Sequence, residues 1–378
     1  SGRGSRMTQL AQADMPCSRG RAIPWPPAPP ARHPLPWRRL IRRALLCLLV
    51  GALLLSVGAG YVYHRLTATL TSYPSAHFNT GRNAIWLEHT WAGDAHTAAD
   101  YDALAAQLQR EQITYVFAHV GPMSSDGTIP ASLASWAPQL AAALHARMPG
   151  VKVLAWIGQL EAASGAPADE VVNLASASTR LTIAATAARF VNGDDFDGVH
   201  YDIEPITNNN SHFLDLLIET RAALPPGAIL SVSAQKWSPN AHIADLLYQA
   251  GHAGQWTSYY MAAVAAHVDQ MAVMTYDSGM PTAAAYQIFL QQETKHILAA
   301  IDTAQHPPQL LIGVPTYSGN SLYFHDSAEN MTSALAGVTA GLNSSSDTQP
   351  FVGVAIYRLA VTSDADWQVY DRVWLGQG

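Results

Sequence analysis

Short apolar runs recur along the chain, each followed by a longer stretch with helical period. The runs are Ala84–Glu88, Thr114–Val120, Lys152–Gly158, Gly198–Glu204, Ile229–Gln235, Gln270–Tyr276, Gln309–Pro315 and Val352–Leu359. They are rich in β-branched and aromatic residues, as buried strands are. Apolar positions with a helical repeat fill Tyr101–Gln112, Ala131–Met148, Ala168–Val191, Phe213–Leu224, Ala283–Ala304, Asn330–Leu342 and Asp364–Leu375. Near-continuous apolar strands alternating with amphipathic helices predict a parallel sheet covered on its outer face. Eight such units predict an α/β fold, a (β/α)8 TIM barrel, over residues 78–378. A doubly wound open sheet is the alternative. It usually has fewer strands, and the Gly-rich first turn of a dinucleotide site is absent.

A different pattern precedes this region. Ala44–Tyr63 is twenty residues without a charge, enough at about 1.5 Å per residue to cross a hydrocarbon core of about 30 Å. Arg38, Arg39, Arg42 and Arg43 flank its start, and Tyr61 and Tyr63 close it. The pattern predicts a transmembrane signal anchor over 44–63 with its N-terminus in the cytoplasm. Residues 1–43 form a basic, Pro-rich tail predicted to be disordered, and 64–77 a linker. The alternative is a cleaved secretory signal with its apolar core at Ala44–Ser56 and a small-residue site at Val57-Gly58-Ala59. Both readings place the bulk of the chain outside the cytoplasm.

Composition narrows the function classes. The chain has 378 residues, 49% hydrophobic and 13% charged, with 26 Gly, 23 Pro and 2 Cys, which excludes collagen and a disulfide scaffold. Residues 1–65 carry ten Lys/Arg and one acid, Asp14, leaving 11 Lys/Arg and 27 Asp/Glu for 66–378, a net of −16. So acidic a domain repels nucleic acid and anionic lipid, and favours neutral or cationic ligands. Both cysteines, Cys17 and Cys47, precede it. The exported domain therefore has no disulfide, thiolate nucleophile or Cys-ligated metal.

In such a barrel the chemistry sits at the C-terminal strand ends. There the polar and aromatic residues concentrate, as a sugar-binding cleft requires. The fourth run carries the sharpest signal, Asp197-Gly198-Val199-His200-Tyr201-Asp202-Ile203-Glu204. Alternation places His200, Asp202 and Glu204 on one face and Val199, Tyr201 and Ile203 on the other. The apolar face should meet the helices and the polar face the barrel interior. Carboxylates that share a face do not readily ionise together, so one pKa rises, which suits a general acid. The competing reading is a carboxylate pair buried for structure and partnered by His or Arg. The sixth run ends Met274-Thr275-Tyr276-Asp277, which fits either site residues or the turn Asp277-Ser278-Gly279.

With these motifs the chain resembles glycoside hydrolase family 18, the chitinase-like barrels. The family pattern D-G-x-D-x-D-x-E appears as DGVHYDIE at 197–204, and M-x-Y-D as MTYD at 274–277. Weaker echoes in the family's order cover 80–375: ITYVFAHV, KVLAWIGQ, LSVSAQ, IGVPTY and GVAIYRLA. The resemblance implies retaining, substrate-assisted hydrolysis of β-linked N-acetylhexosamine glycans such as chitin, peptidoglycan or a surface polysaccharide, with no cofactor and no metal. It assigns Glu204 as general acid and later base. Asp202 would orient the substrate's N-acetyl group and Tyr276 would hydrogen-bond it. Asp277 would hold the sugar at the cleavage point.

Two positions depart from the family. Its middle Asp is His200 here, which leaves open whether a neutral or a cationic ring lies below Asp202. Its strand-eight Trp is Tyr357, a smaller platform under the sugar. His200 itself, with Gln235, Trp237 and Trp91 at or just beyond strand ends, completes the expected substrate-binding set alongside Asp277 and Tyr357. Two rival readings remain. One is a non-catalytic carbohydrate-binding barrel. The other is a metal hydrolase using His89, His119, His200 and Asp202 as ligands.

Overall fold

The computed structural model describes residues 37–67, 76–249 and 254–377. Of the predicted tail, residues 1–36 lie outside the described residues, as do 68–75 of the predicted linker. The chain divides into two units, Ser1–Ala59 and Gly60–Gly378.

One helix, Trp37–Thr67, contains the predicted span and extends it at both ends. The N-terminal extension follows from four arginines, which are good helix formers. Its stretch Leu40–His64 has mean hydropathy 2.3 and no buried residue. At about 37 Å it is long and apolar enough to cross a membrane, and a signal sequence meets the same test.

The second unit contains eight strands in a closed parallel barrel. They are β1 (Asn83–Leu87), β2 (Ile113–Pro122), β3 (Lys152–Glu161), β4 (Gly198–Glu204), β5 (Ile229–Ala234), β6 (Gln270–Val273), β7 (Gln309–Pro315) and β8 (Phe351–Tyr357). Each pairs in parallel with its sequence neighbours, and β8 closes on β1. Alternation sorts the side chains into two layers. Ile85, Val116, Val153, Val199, Leu230, Met271, Ile312 and Val354 pack in the core layer against the helices. Trp86, Phe117, Leu154, Trp156, Ala272, Leu311 and Ala355 fill the barrel interior. The barrel is therefore a packed core whose aromatic filling supports whatever stands above it.

Three departures from the sequence reading have local causes. The helix expected from Ala168 begins at Ala177, where Ser176 Oγ accepts the Thr179 N–H and caps it. The segment before it carries Gly165 and Pro167, and Val171–Val172 instead add a short strand beside β3. The sixth strand stops at Val273, three residues early. Beyond it Thr275 Oγ1 donates to the Gly313 carbonyl at 2.6 Å. A Cβ at Gly313 would lie 2.6 Å from the Val273 oxygen and 3.0 Å from the Tyr276 ring, so only glycine lets that ring cross β7. Finally, the chain between β5 and β6 holds two short parallel strands, Lys236–Ser238 and Gln255–Thr257, and helices Ala241–Gln249 and Ser258–Ala265.

Candidate active site

The fourth strand turns as its pattern predicts. Val199, Tyr201 and Ile203 are buried in the helix-facing layer, and Tyr201 Oη bonds Thr220 Oγ1 on helix Ser211–Ala223 at 2.8 Å. His200, Asp202 and Glu204 climb the interior face toward the strand ends.

His200 is fully buried and stacks on Phe117 with ring centroids 3.8 Å apart. Trp86 Nε1–H donates to its Nε2 at 3.2 Å. An indole can only donate, so Nε2 is an acceptor and the proton sits on Nδ1. Nδ1–H then donates to Ser231 Oγ at 2.8 Å, which passes its own hydrogen to Gln270 Oε1. Ser233 Oγ lies 2.9 Å from Nε2. Burial pushes the imidazole pKa down to about 3. The ring below Asp202 is therefore neutral, which settles the choice that the sequence left open.

Asp202 Oδ2 accepts Trp156 Nε1–H at 2.9 Å, while its Oδ1 is buried with no partner in the protein. Burial, and then the Glu204 charge, raise its pKa. Glu204 Oε1 accepts Gln235 Nε2–H at 3.1 Å. Burial raises its pKa too, opposed by the Gln235 bond and by the charge of Lys236. Two carboxyls two residues apart thus share one proton-retaining environment, with Glu204 half-buried at the upper end.

Above them an aromatic wall closes the other side. Tyr276 is buried and stacks on Tyr357 with centroids 4.6 Å apart, and Trp86 meets both edge-on. Burial holds the Tyr276 phenol protonated far beyond neutral pH. Asp277 is exposed and takes a left-handed backbone, φ 52°. Its Oδ1 accepts Tyr317 Oη–H at 2.6 Å. Trp237 stacks flat on His296 at 4.0 Å and bonds Ser258 Oγ, so one of its faces is occupied. It lines a cavity of about 730 Å³ that reaches Asp277. Trp91 lies apart from this group: it stacks on His96 at 4.1 Å, beside Tyr101 of helix Ala98–Arg110.

The metal reading finds no support in the geometry. Among the described residues no three His, Cys, Asp or Glu side chains converge to hold an ion. Both nitrogens of His200 are engaged internally, and burial pushes His119 down to about 4 against Trp156.

The site expected from the sequence does not include Trp86, Trp156, Ser231, Ser233 or Tyr317. Period two on the fifth strand was the available signal. Ser231, Ser233 and Gln235 alternate with Leu230, Val232 and Ala234 and continue the polar stripe of the fourth.

The model of the glycosyl hydrolases family 18 matches residues 90–362. No curated protein matches the chain. Among solved structures, similarity extends to the spore cortex-lytic enzyme SleL of Bacillus cereus. The identity is 12%, the TM-score 0.52, and the match covers 78% of this chain and 74% of that one. A class V chitinase from Pseudomonas fluorescens Pf-5 matches at 14% identity and TM-score 0.52, over 77% of this chain and 98% of that one. A chitinase from Bacteroides thetaiotaomicron matches at 13% and 0.51, over 77% and 94%. These likenesses concern the fold, whereas the family match spans most of the barrel and both strand-end motifs: the chain belongs to glycosyl hydrolases family 18.

Proposed function

We propose that the protein is a retaining glycoside hydrolase that cleaves β-linked N-acetylhexosamine glycans with the substrate's own acetamido group as nucleophile. The observation that carries this reading is Asp202 Oδ1, buried without a partner beside a proton-retaining Glu204. An orphaned buried acceptor costs about 1–3 kcal/mol. An acetamido N–H arriving from the cleft removes that cost and is held where the reaction needs it.

Glu204 gives its proton to the glycosidic oxygen as the C1–O bond breaks. The acetamido carbonyl oxygen bonds C1, and the positive charge spreads over an oxazolinium-like ring whose N–H rests on Asp202. Glu204, now a carboxylate, takes a proton from water, and the water oxygen attacks C1 and reopens the ring. Tyr276 donates a hydrogen bond to the acetamido group, and its raised pKa keeps it a donor. Gln235 fixes Glu204, Asp277 holds the sugar, and Tyr357 with Trp237 offers aromatic surface. Most of the rate then comes from positioning and fixed polar groups. With His200 neutral, the pair has no third acid directly below it, and the Trp156 Nε1–H steadies the Asp202 charge.

We further propose that the apolar helix anchors the barrel outside the cytoplasm, which favours a glycan of the cell's own envelope. The test of the hydrolytic reading is Glu204→Gln on an aryl chitooligosaccharide. Turnover should vanish while binding persists. Unchanged turnover removes the acid assignment, and binding without turnover in the unmutated chain favours a carbohydrate-binding barrel.

A further inference from the structure

Beside the strand-end carboxylates lies the cavity of about 730 Å³. It is built between the excursion that follows β5 and helix Ala283–Ile301. Its walls are mainly apolar, with Trp237, Ile243, Leu247, Met280, Ile288 and Phe289. It also reaches Asp277 and Lys236, and these follow Tyr276 and Gln235 directly, so the cavity adjoins the catalytic residues along the ends of β5 and β6.

Two ionisable side chains line it at depth, Glu293 and Lys236, 2% and 7% exposed. Glu293 is occupied: its Oε2 accepts the Trp237 N–H at 2.7 Å, and burial raises its pKa to about 8, so it is largely neutral at pH 7. Lys236 is not. Among the described residues its amine has no hydrogen-bond partner and no carboxylate within ion-pair distance. It acts on Glu204, Glu293 and Glu329 only through space. Those groups have other partners. Gln235 bonds Glu204, Ser278 bonds Glu329 through its N–H and Oγ, and Tyr317 bonds Asp277.

The Lys236 stem is buried, but its ammonium is not sealed within the protein: it opens on the cavity, where an entering anion can pair with it. Trp237 can carry a sugar ring at the cavity's edge, but Ile243, Leu247, Met280 and Ile288 beyond it offer a sugar's hydroxyls no polar partner. An apolar stem ending in an anion satisfies both features, and a pocket of this volume holds a group of several residues' reach. We propose that the cavity is a specificity pocket for a short peptidyl substituent carried by the glycan next to the cleaved bond, with Lys236 binding its carboxylate. This rests on the hydrolase reading and narrows its substrate to peptide-bearing N-acetylhexosamine chains.

The test is calorimetric, on the whole chain in detergent micelles carrying Glu204→Gln. Three probes are compared: N-acetylmuramyl-L-alanyl-D-isoglutamine, its carboxamide analogue and N,N′-diacetylchitobiose. The acid should bind about tenfold more tightly than the amide, the scale of one close charge pair. Lys236→Met should bring the two within about twofold of each other, while the chitobiose affinity holds. Leu247→Trp, which fills the cavity mouth and leaves Lys236 in place, should weaken both peptidyl probes and spare chitobiose. Equal binding of acid and amide before any change at Lys236 overturns the pocket assignment without needing a folded Lys236 variant. Chitobiose failing to bind overturns the hydrolase reading instead.

Discussion

Two carboxyl pairs in the barrel domain bring a proton-retaining acid against a second carboxyl, and their surroundings could hardly differ more. Glu111 and Asp371 meet where helix Ala98–Arg110 ends against the C-terminal turn Asp371–Leu375. Glu111 is fully buried, and burial with the facing Asp371 raises it to about 7. Its Oε1 pairs with Arg110 at 2.7 Å, and Glu111 Oε2 and Asp371 Oδ1 have no other partner. Asp202 and Glu204 are also raised, chiefly by burial, but at the upper end of a barrel strand, facing inward beneath stacked tyrosines. A perturbed pKa reports burial and neighbouring charge, and both pairs have those. Position in the fold separates them: one clasps the first βα unit to the chain's last helix, and the other stands where this architecture puts its chemistry.

That contrast is open to attack by mutation. Glu204→Gln should lower kcat by about 10²–10⁴-fold, the usual contribution of a general acid. It should leave the melting temperature almost unmoved, since a half-buried carboxyl becomes its isostere. Asp202→Asn should cost about 10²–10³-fold, because the amide cannot balance the oxazolinium charge. Steady-state kinetics on an aryl chitooligosaccharide checks both. Gln235→Leu gives a smaller effect with a defined sign. The lost N–H bond favoured ionised Glu204, so its pKa rises further and the alkaline limb of the pH–rate profile moves up. A limb that moves down would detach Glu204 from the rate.

The weakest effect belongs to the other pair. Glu111 is raised in the folded state from an ordinary 4.5 to about 7. The stability this contributes is whole below pH 4.5 and is lost as pH climbs through 7. Glu111→Gln should therefore flatten the dependence, adding about 1–3 °C to the melting temperature at alkaline pH with kcat unchanged. A drop in kcat comparable to that of Glu204→Gln would erase the distinction between the pairs.

Much of this was legible in the chain because parallel barrel strands are buried on both sides and read as unbroken apolar runs. Gly198–Glu204 and Gln309–Pro315 end where the pattern says they end. The inward face of the fourth strand needed only period two. What the pattern hid depends on contacts distant in sequence. The tautomer of His200 is set by Trp86, 114 positions away. The early stop of β6 depends on the absence of a side chain at Gly313. The excursion after β5 was missed because its two strands are three residues each and its helices short, although Thr257 caps Ser258–Ala265 in plain view. Lys236 and Glu293, at the heart of the cavity, look like ordinary surface charges until that excursion folds over them.

The most direct measurement compares aryl glycosides of N-acetylglucosamine oligomers whose reacting acetamide is left intact, monofluorinated or trifluorinated. If that carbonyl oxygen is the nucleophile, kcat must fall steeply with each withdrawal of electron density, and the released sugar must keep the β configuration. A rate indifferent to fluorination, or an inverted product, would contradict it.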